Sequence, residues 1–205
     1  MMKIYTALAI LVLGAHAGLA QDAASTVKVD GAKLQIASIQ TPTISSDAPN
    51  KRWRPKNWLE VDLELEVKGL PKSEGGRNGS LASMTVNYYL ALAMTNKAGK
   101  REVIKGSFNY VDAPAGEKSH ALAYVSPATL RRIFQKDTFT AASDIQGWGY
   151  EILVDGKRVG GDSSLGGAWW EKGDNFSINE GVMLSKAETP FGILWGDYDL
   201  AAKKP

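Results

Sequence analysis

The sequence predicts a mainly β protein, an immunoglobulin-like antiparallel β-sandwich with one short crossover helix. Three observations support this fold class: apolar and polar residues alternate along several stretches, the chain has 205 residues, and it contains no cysteine. A chain of this length buries a core large enough to need no disulfides. Roughly eight strands at irregular spacing favour a sandwich, and a closed barrel is the alternative.

The clearest strand covers residues 58–68, where apolar and charged side chains alternate with a period of two. Its apolar face is formed by Leu59, Val61, Leu63, Leu65 and Val67. The opposite face carries four acids, Glu60, Asp62, Glu64 and Glu66. Because like charges on one strand face repel, these acids need basic partners or open solvent.

Residues 83–95 and 101–111 repeat the alternation and are separated by a polar turn at 96–100, which predicts a β-hairpin. Further strands are predicted at 33–39, 118–125, 148–154, 157–161 and 191–198. Asp155 and Gly156 join two of them, and this pair favours a type I′ turn with positive φ at both positions.

One helix interrupts this β pattern. Ser126 can cap it, Pro127 suits its first position, and Leu130, Ile133 and Phe134 form an apolar stripe. The weakly patterned zones are 45–57, 72–80 and 160–188. A loop as long as the last is unusual in a compact domain and is typical of functional or mobile segments.

The first twenty residues have the pattern of a signal peptide. Lys3 supplies the positive charge, residues 4–15 form a short apolar run, and Ala20 suits the cleavage position. We therefore expect a signal peptide at 1–20 and a single domain at 21–205, located in the periplasm or at the cell surface. No cysteine lies at the junction, so we expect no lipid anchor, and no later run is long enough to predict a membrane span.

Composition argues against most catalytic chemistry. His120 is the only histidine after residue 20, and without cysteine it predicts neither a zinc site nor a thiol nucleophile. Asp197, Asp199 and Asp174 do not follow a calcium-loop pattern. A net charge of +2 disfavours general nucleic-acid binding. We expect no catalytic residues, no metal and no cofactor, and we interpret His120 as structural.

Tryptophans suggest the candidate binding residues. Trp148 and Trp195 fall in predicted strands and are expected in the core. Trp169 and Trp170 are adjacent in a glycine-rich stretch, so on an extended chain one should pack inward and the other face outward. Either the pair pins the loop, or the outward ring stacks on a sugar or anchors a protein. A basic and aromatic cluster, which could meet an anionic glycan or an acidic surface, is formed by Lys51, Arg52, Trp53 and Arg54.

Two segments, 54–62 (RPKNWLEVD) and 191–199 (FGILWGDYD), carry a resemblance to a known family. With the length and the leader, they make the chain similar to exported proteins of verrucomicrobial bacteria that are associated with a type IV pilus-like gene cluster. The resemblance implies an immunoglobulin-like sandwich and no catalytic residues. This chain lacks the long N-terminal helix of true pilins, which favours an accessory role over that of a pilus subunit.

The sequence therefore predicts a non-enzymatic envelope protein that acts through protein contacts, with envelope or pilus-system proteins as partners. The alternative is a carbohydrate-binding or adhesin module with a glycan as its ligand. An envelope hydrolase is a third reading, which would need two buried acids in one pocket.

Overall fold

The computed structural model describes residues 27–43, 54–136 and 138–203. The proposed signal peptide and the candidate residues Lys51, Arg52 and Trp53 lie outside the described residues. The strands of the described part are β1 (Lys28–Gln40), β2 (Asn57–Lys68), β3 (Ser80–Thr95), β4 (Arg101–Pro114), β5 (Lys118–Val125), β6 (Ile145–Val154), β7 (Lys157–Ser163), β8 (Phe176–Asn179), β9 (Met183–Ser185) and β10 (Ala202–Lys203). The α-helices are α1 (Pro127–Phe134) and α2 (Ala141–Asp144).

The strands form two sheets. The first has the order β1-β2-β5-β9, and the second has the order β10-β4-β3-β6-β7. Neighbours are antiparallel, except that β8 adds to β4 as a parallel strand. Helix α1 lies in the connection from β5 in the first sheet to β6 in the second. The predicted sandwich with a crossover helix is confirmed, and the barrel alternative is wrong.

The main core lies between the two sheets. The predicted apolar face of β2 is buried there, and it belongs to the same cluster as the inward side chains of β3. Those side chains are Met84, Val86, Tyr88, Leu90 and Leu92. Burying an apolar side chain of this size stabilises the fold by about 1.5–3 kcal/mol. The alternating pattern therefore identified both the strands and their inward faces.

The predicted turn at Asp155 and Gly156 and the predicted cap at the start of α1 are also confirmed. Asp155 and Gly156 have φ values of 51° and 75°, as a type I′ turn requires. Ser126 caps α1, because its side chain accepts a hydrogen bond from the backbone of Thr129 at 3.2 Å. Leu130 anchors the helix in the core.

Residues 160–188 are not one long loop. They contain the end of β7, three short helical turns, and the strands β8 and β9. Aromatic residues of this stretch cover the outer face of the second sheet, where Trp169 and Trp170 pack with Tyr89. The following segment covers the outer face of the first sheet, where Phe191 packs with Trp58 and Tyr124.

The predicted strand at 191–198 is wrong. This stretch forms consecutive turns, including backbone hydrogen bonds from Leu194 to Phe191 and from Tyr198 to Trp195. Gly192 and Gly196 interrupt the alternation, and the chain folds back over the sheet instead of joining it. Trp195 is consequently not a core residue, since it is 55% exposed.

Candidate functional site

Trp169 and Trp170 do not form an exposed platform. Both are buried, at 3% and 4% exposure, so the expectation that one faces outward is wrong. The segment is a helical turn rather than an extended chain, and both rings therefore point toward the sheet. Trp170 stacks on Tyr89 with centroids 4.3 Å apart, above Gly149, where a Cβ would lie 2.1 Å from the indole. The pair fastens the loop to the sheet.

Arg54 is the one member of the predicted basic cluster within the described residues, and it is exposed. Lys56 follows it and lines a cleft beside α1 together with Arg131 and Lys136. Lys136 is paired with Asp144 at 2.6 Å. The structure thus adds positive charge near Arg54, and the same cleft is lined by Phe139, while Lys136 lies over the ring of Phe134.

Three of the four acids on the outer face of β2 have basic partners. Lys118 Nζ donates to Glu64 at 2.7 Å, and Lys68 Nζ lies 3.3 Å from Glu66. His120 Nδ1 lies 2.8 Å from Asp62 Oδ1. His120 thus lies on the outer face of the sheet, beside Asp62.

Tyr198 covers His120 from the outer side of the sheet. The ring of Tyr198 stacks on the imidazole with centroids 4.1 Å apart, and its hydroxyl donates to Asp62 Oδ2 at 2.8 Å. Burial is the largest cause that raises the pKa of the Tyr198 hydroxyl, and its hydrogen bond to Asp62 is the next. Among the described residues no hydroxyl hydrogen-bonds the imidazole, so the cluster lacks the nucleophile of a hydrolytic triad.

Residues 191–199, which we call the aromatic loop, are fixed from below by a buried lysine. Lys186 donates to the carbonyl of Trp195 at 3.1 Å and forms an ion pair with Asp199. Both charged side chains are about nine-tenths buried. A buried pair of this kind is costly to break, because removing one partner leaves an uncompensated charge. Lys186 therefore holds two points of the loop in one geometry.

The loop presents three large apolar side chains to solvent. Ile193, Trp195 and Tyr198 are 76%, 55% and 46% exposed. Elsewhere in the described part of the chain, only Leu165 and Ile178 are exposed to a comparable degree. Exposed apolar residues that cluster on one segment mark interaction surfaces more often than scattered ones do.

Trp195 combines an unusual backbone conformation with an exposed side chain. Its backbone has φ of 51°, in the left-handed region that bulky residues rarely adopt. The rings of Trp195, Phe191 and Tyr124 lie nearly parallel, with successive centroid distances of 6.4 and 5.1 Å. Backbone conformations of this kind are found more often at binding sites and other functional sites.

Glu60 lies beside this loop on the acidic face. Burial raises the pKa of its carboxyl; the nearby Tyr124 hydroxyl opposes the shift, and repulsion from Asp62 and Asp199 adds to it. In the described ranges, neither Glu60 nor Asp197 has an ion-pair partner, and Asp62 is bound by His120 and Tyr198 rather than by a lysine or arginine. The loop therefore lies next to carboxylates, among them Glu60, that would attract a cation.

A protein-family model matches residues 20–205. The chain belongs to this family. Among solved structures, the chain is similar to the crystal structure of a protein from Akkermansia muciniphila, with a TM-score of 0.74 and 24% identity over 87% of this chain and 94% of that one. At this identity the likeness shows the shared fold. The resemblance to a verrucomicrobial protein is thereby confirmed, since Akkermansia is a verrucomicrobium.

No curated protein matches the chain. Within residues 27–43, 54–136 and 138–203, no helix is long and apolar enough to span a bilayer, and no three His, Asp or Glu side chains are grouped as metal ligands.

Sequence reasoning missed Ile193, Trp195 and Tyr198 as surface residues because it assigned them to a strand. A signal was nevertheless present. Gly192 and Gly196 flank Ile193 and Trp195 within five residues, and glycine at such spacing weakens a strand prediction and favours turns.

Proposed function

We propose that the protein is an exported, non-enzymatic envelope protein that binds a partner protein through the aromatic loop. The observation that supports this most is the group of exposed apolar side chains at 193, 195 and 198, held in place by Lys186. An aromatic anchor at the centre of a rigid patch is typical of protein interfaces, where tryptophan and tyrosine are enriched. Family membership and the signal-peptide pattern support location in the envelope.

The finer proposal is an accessory role in a type IV pilus-like or secretion assembly. It rests on the resemblance of segments 54–62 and 191–199 to exported verrucomicrobial proteins associated with such a gene cluster. The second of these segments is the aromatic loop itself. The residues that carry the resemblance and the residues that form the exposed patch therefore coincide.

Affinity purification from envelope extracts after mild crosslinking tests this function. The protein should recover pilus or secretin components, and Trp195→Ala should lose them. Ile178→Ala is the matched control, because Ile178 is 42% exposed on β8 in the other sheet. Recovery of no such component, or equal loss with both variants, would contradict the proposal.

A further inference from the structure

The aromatic loop adjoins a negatively charged strip. Glu60, Asp62 and Glu64 follow one another on the outer face of β2, and Asp197 and Asp199 lie on the loop. Three lysines face these acids: Lys118 is paired with Glu64, Lys186 is paired with Asp199, and Lys33 of β1 lies opposite Glu64. The carboxylate of Asp62 is held by His120 and by the Tyr198 hydroxyl. Within the described residues, Glu60 and Asp197 therefore remain without an ion-pair partner.

Trp195 lies on the loop next to this strip. Its ring is nearly parallel to that of Phe191, which in turn stacks on Tyr124, the residue opposite Glu60 in the sheet. The residue is still more than half exposed, so part of its indole is accessible to a ligand. The face of an indole attracts cations, and nearby carboxylates add to the attraction.

Resting on the function proposed above, we propose that the occupant of this surface is a basic polypeptide segment of the partner. A lysine or arginine of that segment contacts the exposed part of the Trp195 indole and is attracted by the carboxylates of Asp197 and Glu60. Ile193 contacts the apolar part of the same segment.

Charge and apolar character favour this occupant over a neutral glycan. A neutral glycan can stack on Trp195 through the C–H face of a sugar ring, but it has no charge to match the carboxylates of Glu60 and Asp197, and its hydroxyl-rich edges fit Ile193 poorly, which is 76% exposed. A basic segment meets both features, because lysine and arginine side chains carry an apolar stem below their charged head. The partly buried carboxylate of Glu60 would also be stabilised by a nearby cation.

Titration of the full chain with synthetic peptides, followed by NMR of the Trp195 indole N–H, tests the inference. The probes are a tetra-arginine peptide and a tetra-citrulline peptide of the same length, which keeps the shape but not the charge. The arginine peptide should shift the indole signal and bind at least about fivefold more tightly, as expected for roughly 1 kcal/mol from one cation on an exposed aromatic ring. Added salt should weaken its binding.

Two variants separate the site from general charge attraction. Asp197→Asn should weaken binding of the arginine peptide several-fold, whereas Asp174→Asn, at an exposed acid preceding β8, should leave the Kd unchanged. Equal binding of both peptides would overturn the inference. So would a shift of the Trp195 signal with an N-acetylglucosamine tetramer in place of the peptide, or with protein concentration alone, which would identify a glycan or a second copy as the occupant.

The inference and the proposed function fail in different ways. If envelope partners are still lost on Trp195→Ala but the arginine peptide has no advantage, the surface is used and its partner is not basic. If no partner is recovered, the proposed function fails whatever the peptides do.

Discussion

At the scale of single residues, Trp195 combines properties that a purely structural residue seldom shows together. A φ of 51° costs a residue with a side chain about 1–2 kcal/mol. Because Trp195 is more than half exposed, burial of its ring offsets little of that cost. The carbonyl of the same residue is held by Lys186. The fold therefore keeps Trp195 in an unfavourable backbone conformation in which its indole is exposed to solvent.

This account makes a prediction about two truncations of Trp195. Trp195→Gly and Trp195→Ala both remove the ring, but glycine adopts positive φ without strain, so the glycine variant should be the more stable by about 1 kcal/mol. Urea denaturation of both variants measures the difference. A less stable glycine variant would show that residue 195 does not keep a left-handed backbone in solution.

Glu60 and Glu64 predict opposite responses to pH, although they lie on one strand face. Burial raises the pKa of Glu60 in the folded state above its ordinary 4.5, so its ionisation destabilises the fold as the pH rises through that raised value. The hydrogen bond from Lys118 lowers the pKa of Glu64, so Glu64 stabilises the fold above pH 4.5 and this contribution fades as the pH falls through its lowered value.

Glu60→Gln should therefore increase the free energy of unfolding at pH 7, and Glu64→Gln should decrease it. The Glu60 difference should shrink as the pH falls through the raised pKa of Glu60 toward 4.5, and the Glu64 difference should shrink only below pH 4.5, as the pH falls through the lowered pKa of Glu64. Urea denaturation as a function of pH, from pH 7 to below pH 4, gives the comparison. The same sign for both variants at pH 7 would contradict the opposite surroundings described for them.

At the scale of elements, strands were predictable where one face is buried and the other is wet. β2, β3 and β5 were recognised this way because the sandwich core enforces the period of two. The candidate site could not be predicted in this way. The aromatic loop and the turn at Trp169 pack on the outer faces through a few aromatic contacts, so their sequences show no regular alternation of apolar and polar residues. The acidic face of β2 was predicted to need basic partners, but the loop that covers it was not foreseen.

Packing at the second outer face depends on one glycine. In Gly149→Ala, the new Cβ would lie 2.1 Å from the Trp170 ring, which is confined by Tyr89, so we expect a loss of about 2 kcal/mol from overpacking. Tryptophan fluorescence during urea denaturation would show both the loss and a red shift of the folded spectrum. Gly173→Ala is the control, since nothing lies within 4 Å of its Cβ position. A neutral Gly149→Ala would mean that Trp170 is not packed there.

At the scale of the whole molecule, the C-terminal part acts as a cover on both sides of the sandwich. Residues after β7 pack Trp169 and Trp170 on one outer face and Phe191 on the other. Among the described residues, exposed tryptophan and tyrosine side chains are found on the second cover, where the loop turns back at Gly192 and Gly196 while Lys186 fixes its base. The two outer faces therefore differ in their surfaces: on one the tryptophans are buried, and on the other Trp195 is exposed.

Photo-crosslinking in intact cells tests the central claim, that this face is the binding surface, most directly. A photoreactive amino acid is introduced at Ile193 on the aromatic loop and, separately, at Ile178 on β8. The account predicts that the residue at 193 forms a defined adduct with a pilus or secretin component and that the residue at 178 does not. Adducts of equal yield at both positions, or an adduct only at 178, would contradict it.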